Sequence, residues 1–174
     1  MHDGYIFTLG ICGSASDSSI APACLDTMLA AIPPVKRAAL LGEVLLSAGV
    51  PDLADPLSAP IWADLADAEA FFLVTPLVVG GLPARLAALL RHVVAAPPPL
   101  RPRHAALVLL GSATPATQAL LDHLCRASGA DLVGTVWLEP DADLTPTVRQ
   151  QLVQLAQQTY RQARQLHPEA LPHA

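Results

Sequence analysis

The sequence carries little charge of either sign. Charged residues make up 14% of its 174 positions, and the formal net charge is only -5. There is no basic footprint for a nucleic acid and no cationic face for a membrane surface. No apolar run approaches the roughly 18 residues that a membrane-spanning helix needs. The start, Met1-His2-Asp3-Gly4, lacks the basic opening and apolar segment of a signal peptide. Cysteine is scarce: Cys12, Cys24 and Cys125 form no C-x-x-C pair. An odd number of scattered thiols fits a reducing, cytoplasmic setting, with the sulfurs buried as small core residues. The six histidines form no metal-ligating pair. Several signatures are missing as well. Without G-x-G-x-x-G a dinucleotide-binding Rossmann site is disfavoured, and without G-x-x-x-x-G-K-[ST] a nucleotide triphosphatase is disfavoured. Without G-x-S-x-G there is no hydrolase nucleophile elbow.

What is present is apolar material in short blocks. Hydrophobic residues reach 52%, too many for a disordered chain, and the length suits one domain over residues 1–174. Apolar runs alternate with stretches of helical period, the pattern of repeated strand–helix–strand units. Tyr5–Cys12 reads as a first buried strand, followed by a helix over Ile20–Ile32 that ends at Pro33-Pro34. Ala38–Leu46 reads as the second strand. Ser58 and Pro60 cap a short helix over Ile61–Leu65. Ala70–Thr75 is the third strand, and its run Phe71-Phe72-Leu73-Val74 predicts burial on both faces. Helix Pro83–Ala95, strand Ala105–Leu110, helix Ala116–Ser128 and strand Leu132–Leu138 follow, with Gly129 at a helix C-cap. Thr145-Pro146 caps a last helix with a buried stripe of Val148, Leu152, Leu155, Ala156, Tyr160 and Ala163. A frayed tail is expected after His167. Five strands and their helices predict a three-layer, doubly wound parallel sheet in order 2-1-3-4-5. Ligands of such folds bind outside the strands' carboxyl ends.

Two segments fall at that edge. Gly13-Ser14-Ala15-Ser16-Asp17-Ser18-Ser19 follows the first strand and opens a helix. Small residues allow close backbone approach, hydroxyls donate hydrogen bonds, and a helix start suits an anion. An ordinary capped turn explains the same residues, and Asp17 opposes a phosphate. Thr75-Pro76-Leu77-Val78-Val79-Gly80-Gly81-Leu82-Pro83 follows the third strand. Two glycines and two prolines shape it, and its apolar centre suits a flat ring. A stiff connector is the plain alternative.

Gly-Ser-x-x-x-x-Ser after strand one, then Ala66-Asp67-Ala68 before an apolar strand ending in Thr-Pro-x-x-x-Gly-x-x-Pro-x-x-Leu, resembles the NADPH-dependent FMN reductases of the flavodoxin-like group. The resemblance spans about Tyr5 to Leu138. It implies a flavodoxin-like three-layer α/β sandwich and an FMN-dependent oxidoreductase. Hydride would pass from NADPH or NADH through the flavin to a flavin, quinone or other small acceptor. It implies that Ser14, Ser16 and Ser19 hold the FMN phosphate. Pro76, Leu77, Val78, Val79 and Gly80 would touch the ring, and Gly111 and Ser112 would border it. The family commonly has Arg where this chain has Ser16, Asn where it has Ala21, and Glu-Tyr-Asn where it has Leu77-Val78-Val79. Those departures motivate a second reading, a flavodoxin-like binding or assembly module without flavin. Helix Pro83–Ala95 is apolar nearly all round, with only Arg85, Arg91 and His92 polar. It is expected to pack against another copy of the chain, in a homodimer or homotetramer. Trp62, Trp137 or Tyr160 of that copy would supply an aromatic neighbour for the ring.

Overall fold

The computed structural model describes residues 6–14, 19–33, 37–40, 59–78, 81–84, 86–88, 103–112, 114–127 and 129–165. Strands β1 (Thr8–Cys12), β3 (Ala70–Pro76), β4 (Arg103–Leu110) and β5 (Ala130–Leu138) lie side by side and parallel. Strand β2 (Arg37–Leu40) pairs along the free side of β1, from Thr8↔Arg37 to Ile11↔Leu40. The hydrogen-bonded order is β2-β1-β3-β4-β5.

Helices cover both faces, which is why the central strands are apolar at every position rather than at alternate ones. β1 and β4 are buried along their whole length, and β3 up to Thr75. On one face, α1 (Ala21–Ala30) and α4 (Pro146–Gln165) pack Leu25, Met28, Leu152 and Ala156 against Phe72, Val74, Ala106 and Val108. On the other, α2 (Ala59–Asp67), the helical turn at 86–88 and α3 (Pro115–Ala127) pack Leu65, Leu86 and Leu121 against Leu9, Phe71, Leu73, Leu107 and Leu109. β5 is the thinly covered strand. Leu132 and Trp137 on it are 37% and 41% exposed.

The expected elements shift at their ends. β1 starts at Thr8 and α1 runs only over Ala21–Ala30. β2 begins at Arg37, and positions 41–46 of the expected second strand lie outside the described residues. The helix expected over Ile61–Leu65 runs from Ala59 to Asp67, and β5 begins two residues early, at Ala130. β4 also gains two polar residues, Arg103 and His104, both buried. The Arg103 guanidinium donates to the carbonyls of Leu65 and Ala66 at 2.5 and 2.7 Å. These belong to the last turn of α2, where helix carbonyls lack intrahelical partners and a cation meets the negative end of the dipole. Beside it, the Glu69 carboxylate accepts the Phe7 N–H at 2.9 Å. Polar residues at the amino ends of the strands thus close the bottom of the sheet. Gly129 adopts φ +66 after α3, and the Thr145 hydroxyl accepts the Val148 N–H at the start of α4. Of helix Pro83–Ala95, residues 84 and 86–88 are helical, and the surface expected to meet a second copy lies mostly outside the described residues.

Among the described residues no helix is long and apolar enough to cross a membrane. The three cysteines are buried thiols, none of them in a disulfide. Burial pushes the Cys24 and Cys125 thiols up to about 11 and raises Cys12 as well. Thiols held neutral in this way are poor nucleophiles.

Candidate functional site

Three loops emerge at the carboxyl ends of β1, β3 and β4, and tertiary contacts tie them into one rim. The first begins at Gly13. Its N–H donates to Val74 O at 2.8 Å, so the loop leaves β1 still bound to β3. No side chain fits here. A Cβ on Gly13 would stand 2.8 Å from both Thr75 Cβ and Leu86 Cδ2, and closer still to Thr75 Oγ1. Ser14 follows, 7% exposed, and the Cys12 thiol donates to its carbonyl at 3.7 Å. Ser16 lies outside the described residues. Ser19 ends the loop, and its Oγ accepts the Ala21 N–H at 3.2 Å.

The second loop leaves β3 at Pro76. Thr75 is fully buried and its hydroxyl donates to Pro76 O at 3.0 Å. Leu77 N–H donates to Leu110 O at 2.7 Å, which holds the loop against β4. Val78 and Gly81 then exchange two hydrogen bonds, Val78 N–H to Gly81 O at 2.8 Å and Gly81 N–H to Val78 O at 2.9 Å. The two residues are thereby joined as a bridge, while Val79 and Gly80 lie outside the described residues. Gly81 has φ +124. Val78 is left 51% exposed, an aliphatic side chain held out by a rigid frame.

The third loop begins at Gly111, whose φ of +123 is a conformation that residues with a Cβ rarely adopt. A Cβ there would also lie 3.3 Å from Leu77 Cβ, so the second and third loops touch. Ser112 is exposed. The Thr114 hydroxyl caps α3 by accepting the Thr117 N–H at 3.1 Å, and the two threonine hydroxyls are 3.0 Å apart. Thr117 is 3% exposed, and a Cβ on Gly81 would lie 3.5 Å from its Oγ1.

The described residues of the rim include no charged side chain. It offers hydroxyls, backbone amides and carbonyls, and one exposed aliphatic group. Such a surface can hold a flat, neutral ring by its faces while main-chain groups meet the ring's edge. Of the expected site residues, Ser14, Ser19, Pro76, Leu77, Val78, Gly111 and Ser112 stand at this edge of the sheet. Two supports were not expected from the sequence. Thr117 and Leu86 hold the rim from beneath, and only the Thr-Pro-x-Thr spacing of the helix cap hinted at the first. Of the expected aromatic neighbours, Trp137 is exposed on β5 and Tyr160 packs against the core, while the Trp62 side chain lies outside the described residues. Two open grooves, of about 540 and 430 Å3, border α4 and share no lining residue with the rim.

No family model and no curated protein matches the chain by sequence. Solved structures match it by shape. An NADH:FMN oxidoreductase in its apo form aligns with a TM-score of 0.66 at 18% identity, covering 91% of this chain and 90% of its own. A flavone reductase aligns with a TM-score of 0.75 at 12% identity over 92% of this chain and 64% of its own. A flavodoxin of Streptococcus pneumonia TIGR4 aligns with a TM-score of 0.63 at 13% identity over 91% and 99%. At these identities the likeness defines the fold, which is the flavodoxin-like α/β fold.

Proposed function

We propose that the chain is a flavin-dependent oxidoreductase. One observation carries the reading. The loops after β1, β3 and β4 are locked into a single rim with no charged side chain among its described residues, through Gly13 on Thr75, Leu77 on Gly111 and Gly81 on Thr117. This rim stands at the carboxyl edge of a flavodoxin-like sheet, where such folds take their ligands. Support comes from the solved structures of the same shape, which include an NADH:FMN oxidoreductase and a flavone reductase.

Hydride transfer from NADPH or NADH to a flavin, quinone or other small acceptor is the chemistry that a bound flavin supplies. The protein's part is to bind and orient. In this reading Pro76, Leu77, Val78, Val79 and Gly80 lie along the ring, with Gly111 and Ser112 at its edge. Ser14, Ser16 and Ser19 surround the ring's side chain. No acid or base is needed from the protein in this reading. The rival reading, a module without flavin, draws on Val78, a small aliphatic group at the place where an aromatic partner would stack.

Incubating the purified protein with flavin and then desalting it separates the two. Flavin absorbance is expected to remain with the protein, and flavin fluorescence to be quenched as protein is added. No retained absorbance together with no quenching at high protein concentration would leave only the module.

A further inference from the structure

Strand β5 is last in the hydrogen-bonded order, and no described strand pairs with its outer edge. An open edge is a template for another strand, and proteins guard such edges with lysine, proline or a bulge. β5 contains no lysine, arginine or proline, and its only charge is Asp131, next to its start. Its one guard is a bulge at Val133, the extra residue between the Ala105↔Leu132 and Ala106↔Gly134 pairs. From Gly134 to Leu138 the register on β4 is regular. Trp137, in that run, is 41% exposed, and tryptophan is a residue that interfaces concentrate. Beside the strand, α4 presents Gln151, Gln154 and Gln158, all exposed, which line the groove of about 430 Å3 along β5.

Three features make this side of the molecule complementary to a second copy of itself. A strand edge carries both donors and acceptors, and so does a glutamine amide, so each can meet its own kind. The charges are segregated. Glu139, Asp141 and Asp143 are exposed beyond the carboxyl end of β5, where the Arg149 guanidinium is engaged with Leu144 O. At the other end of this side, Arg126, Arg161 and Arg164 outnumber Asp131. An antiparallel two-fold arrangement brings the acidic end of each copy to the basic end of the other. The area is also sufficient. The 20 residues of α4 make this side about 30 Å high. One strand between two helix layers makes it about 25 Å wide, which gives about 750 Å2 per copy, close to the roughly 800 Å2 per partner of a standard stable interface.

We infer that the chain forms a two-fold dimer in which the β5 edges pair antiparallel and join two five-stranded sheets into one. Centred on Val136, the pairing sets Trp137 opposite Thr135 of the partner subunit, an aromatic against a β-branched side chain, twice by symmetry. Gly134 lies opposite Leu138 of the partner subunit, small against large. Glu139 comes opposite Val133 of the partner subunit and so toward Arg161 of the partner subunit, which lies one helical turn beyond the groove. The dimer does not rest on the flavin reading, because the rim stands at the carboxyl edge of the sheet and this contact runs along its side.

The test is sedimentation of the full chain over micromolar to submillimolar concentrations, at low and at physiological salt. A species of twice the chain's mass is expected at tens of micromolar, weakening as salt rises. Val136→Lys sets two ammonium groups face to face at the axis and is expected to leave a monomer. Arg161→Glu changes an exposed side chain. It should weaken the dimer about tenfold at low salt, because symmetry turns two attractive pairs repulsive. Adding Glu139→Arg should bring the affinity back to within about threefold of wild type. If Val136→Lys fails to fold, the charge pair carries the test alone. A chain that stays monomeric throughout would overturn the inference and leave β5 to the strand of a different protein. A dimer unchanged by Arg161→Glu, or one that the charge swap does not restore, would overturn it too, since the copies would then meet elsewhere.

Discussion

Gly13→Val is expected to destabilise the fold by about 3 kcal/mol, the upper part of the range for overpacking a filled site, and to abolish flavin binding. Two groups stand where the new Cβ would go, and they differ in how far they can yield. Leu86 Cδ2 is the end of a side chain that can turn away. Thr75 is β-branched, fully buried and fixed on a central strand, so its Cβ can move only with β3. Relief must therefore come from the loop, which would lift from β3 and stretch or break the Gly13 N–H to Val74 O bond. That bond sets the height of the first loop against the second. Alanine has the same Cβ and should show the same effect in milder form, about 2 kcal/mol. Urea unfolding gives the stability and flavin quenching gives the binding. If both variants unfold at the wild-type midpoint, the close approach of the two loops is wrong.

Arg103→Met should be the costliest change at the other end of the sheet. Arg103 is 3% exposed, and its guanidinium bridges two carbonyls at the end of α2. Methionine fills similar volume and leaves both acceptors without their charged donor, in a place water reaches poorly. Charge-assisted hydrogen bonds and the stranding of buried partners put the loss at about 3 kcal/mol or more. For a chain of this length that lowers the melting temperature by on the order of 10 °C. Arg103→Lys should recover only part of it, because one ammonium cannot reproduce a planar two-pronged donor. Flavin binding below the melting transition should persist in both variants, since Arg103 opens β4 while the rim stands at its far end, beyond Leu110. A melting temperature within a degree of wild type for Arg103→Met would show that the α2 carbonyls find other partners.

These two positions also show what could be read from the chain in advance. The alternation of apolar runs and helical stretches was legible because burial on both faces leaves its mark on every residue of a central strand, as at Phe71-Phe72-Leu73-Val74. Caps were legible for a similar reason. Thr145 and Gly129 act within a turn of their own sequence, so their signals are local. Strand ends were not. The strand expected over Ala105–Leu110 omits Arg103 and His104, and the carbonyls that make Arg103 a core residue come from nearly forty positions away in sequence. The short helix over Ile61–Leu65 was read too short for a related reason, because its last turn is completed by that same arginine.

The candidate site divides along the same line. Its loops could be found, since glycine and proline mark backbone shape directly, and Gly111 has the positive φ that shape requires. How the loops meet could not. That Gly13 must be bare because Thr75 lies against it, or that Gly81 rests on Thr117, follows only from strand pairing and helix packing. The hydroxyls were also open to two readings. Ser19 was expected to face a ligand, and in the structure its oxygen accepts the first amide of α1. A serine beside a helix start can cap or bind, and its sequence does not say which.

The central claim is that a flavin ring lies against the rim made by the loops after β1, β3 and β4. The most direct measurement is the backbone amide spectrum of isotope-labelled protein as riboflavin is added, followed residue by residue. Large shifts are expected at Gly13, Ser14, Leu77, Val78, Gly81, Gly111 and Ser112, with residues at the sheet's other end, such as Glu69 and Arg103, unmoved. Shifts gathered instead along Ala23, Asp26, Thr27 and Val153, which line the groove between α1 and α4, with the rim silent, would contradict it.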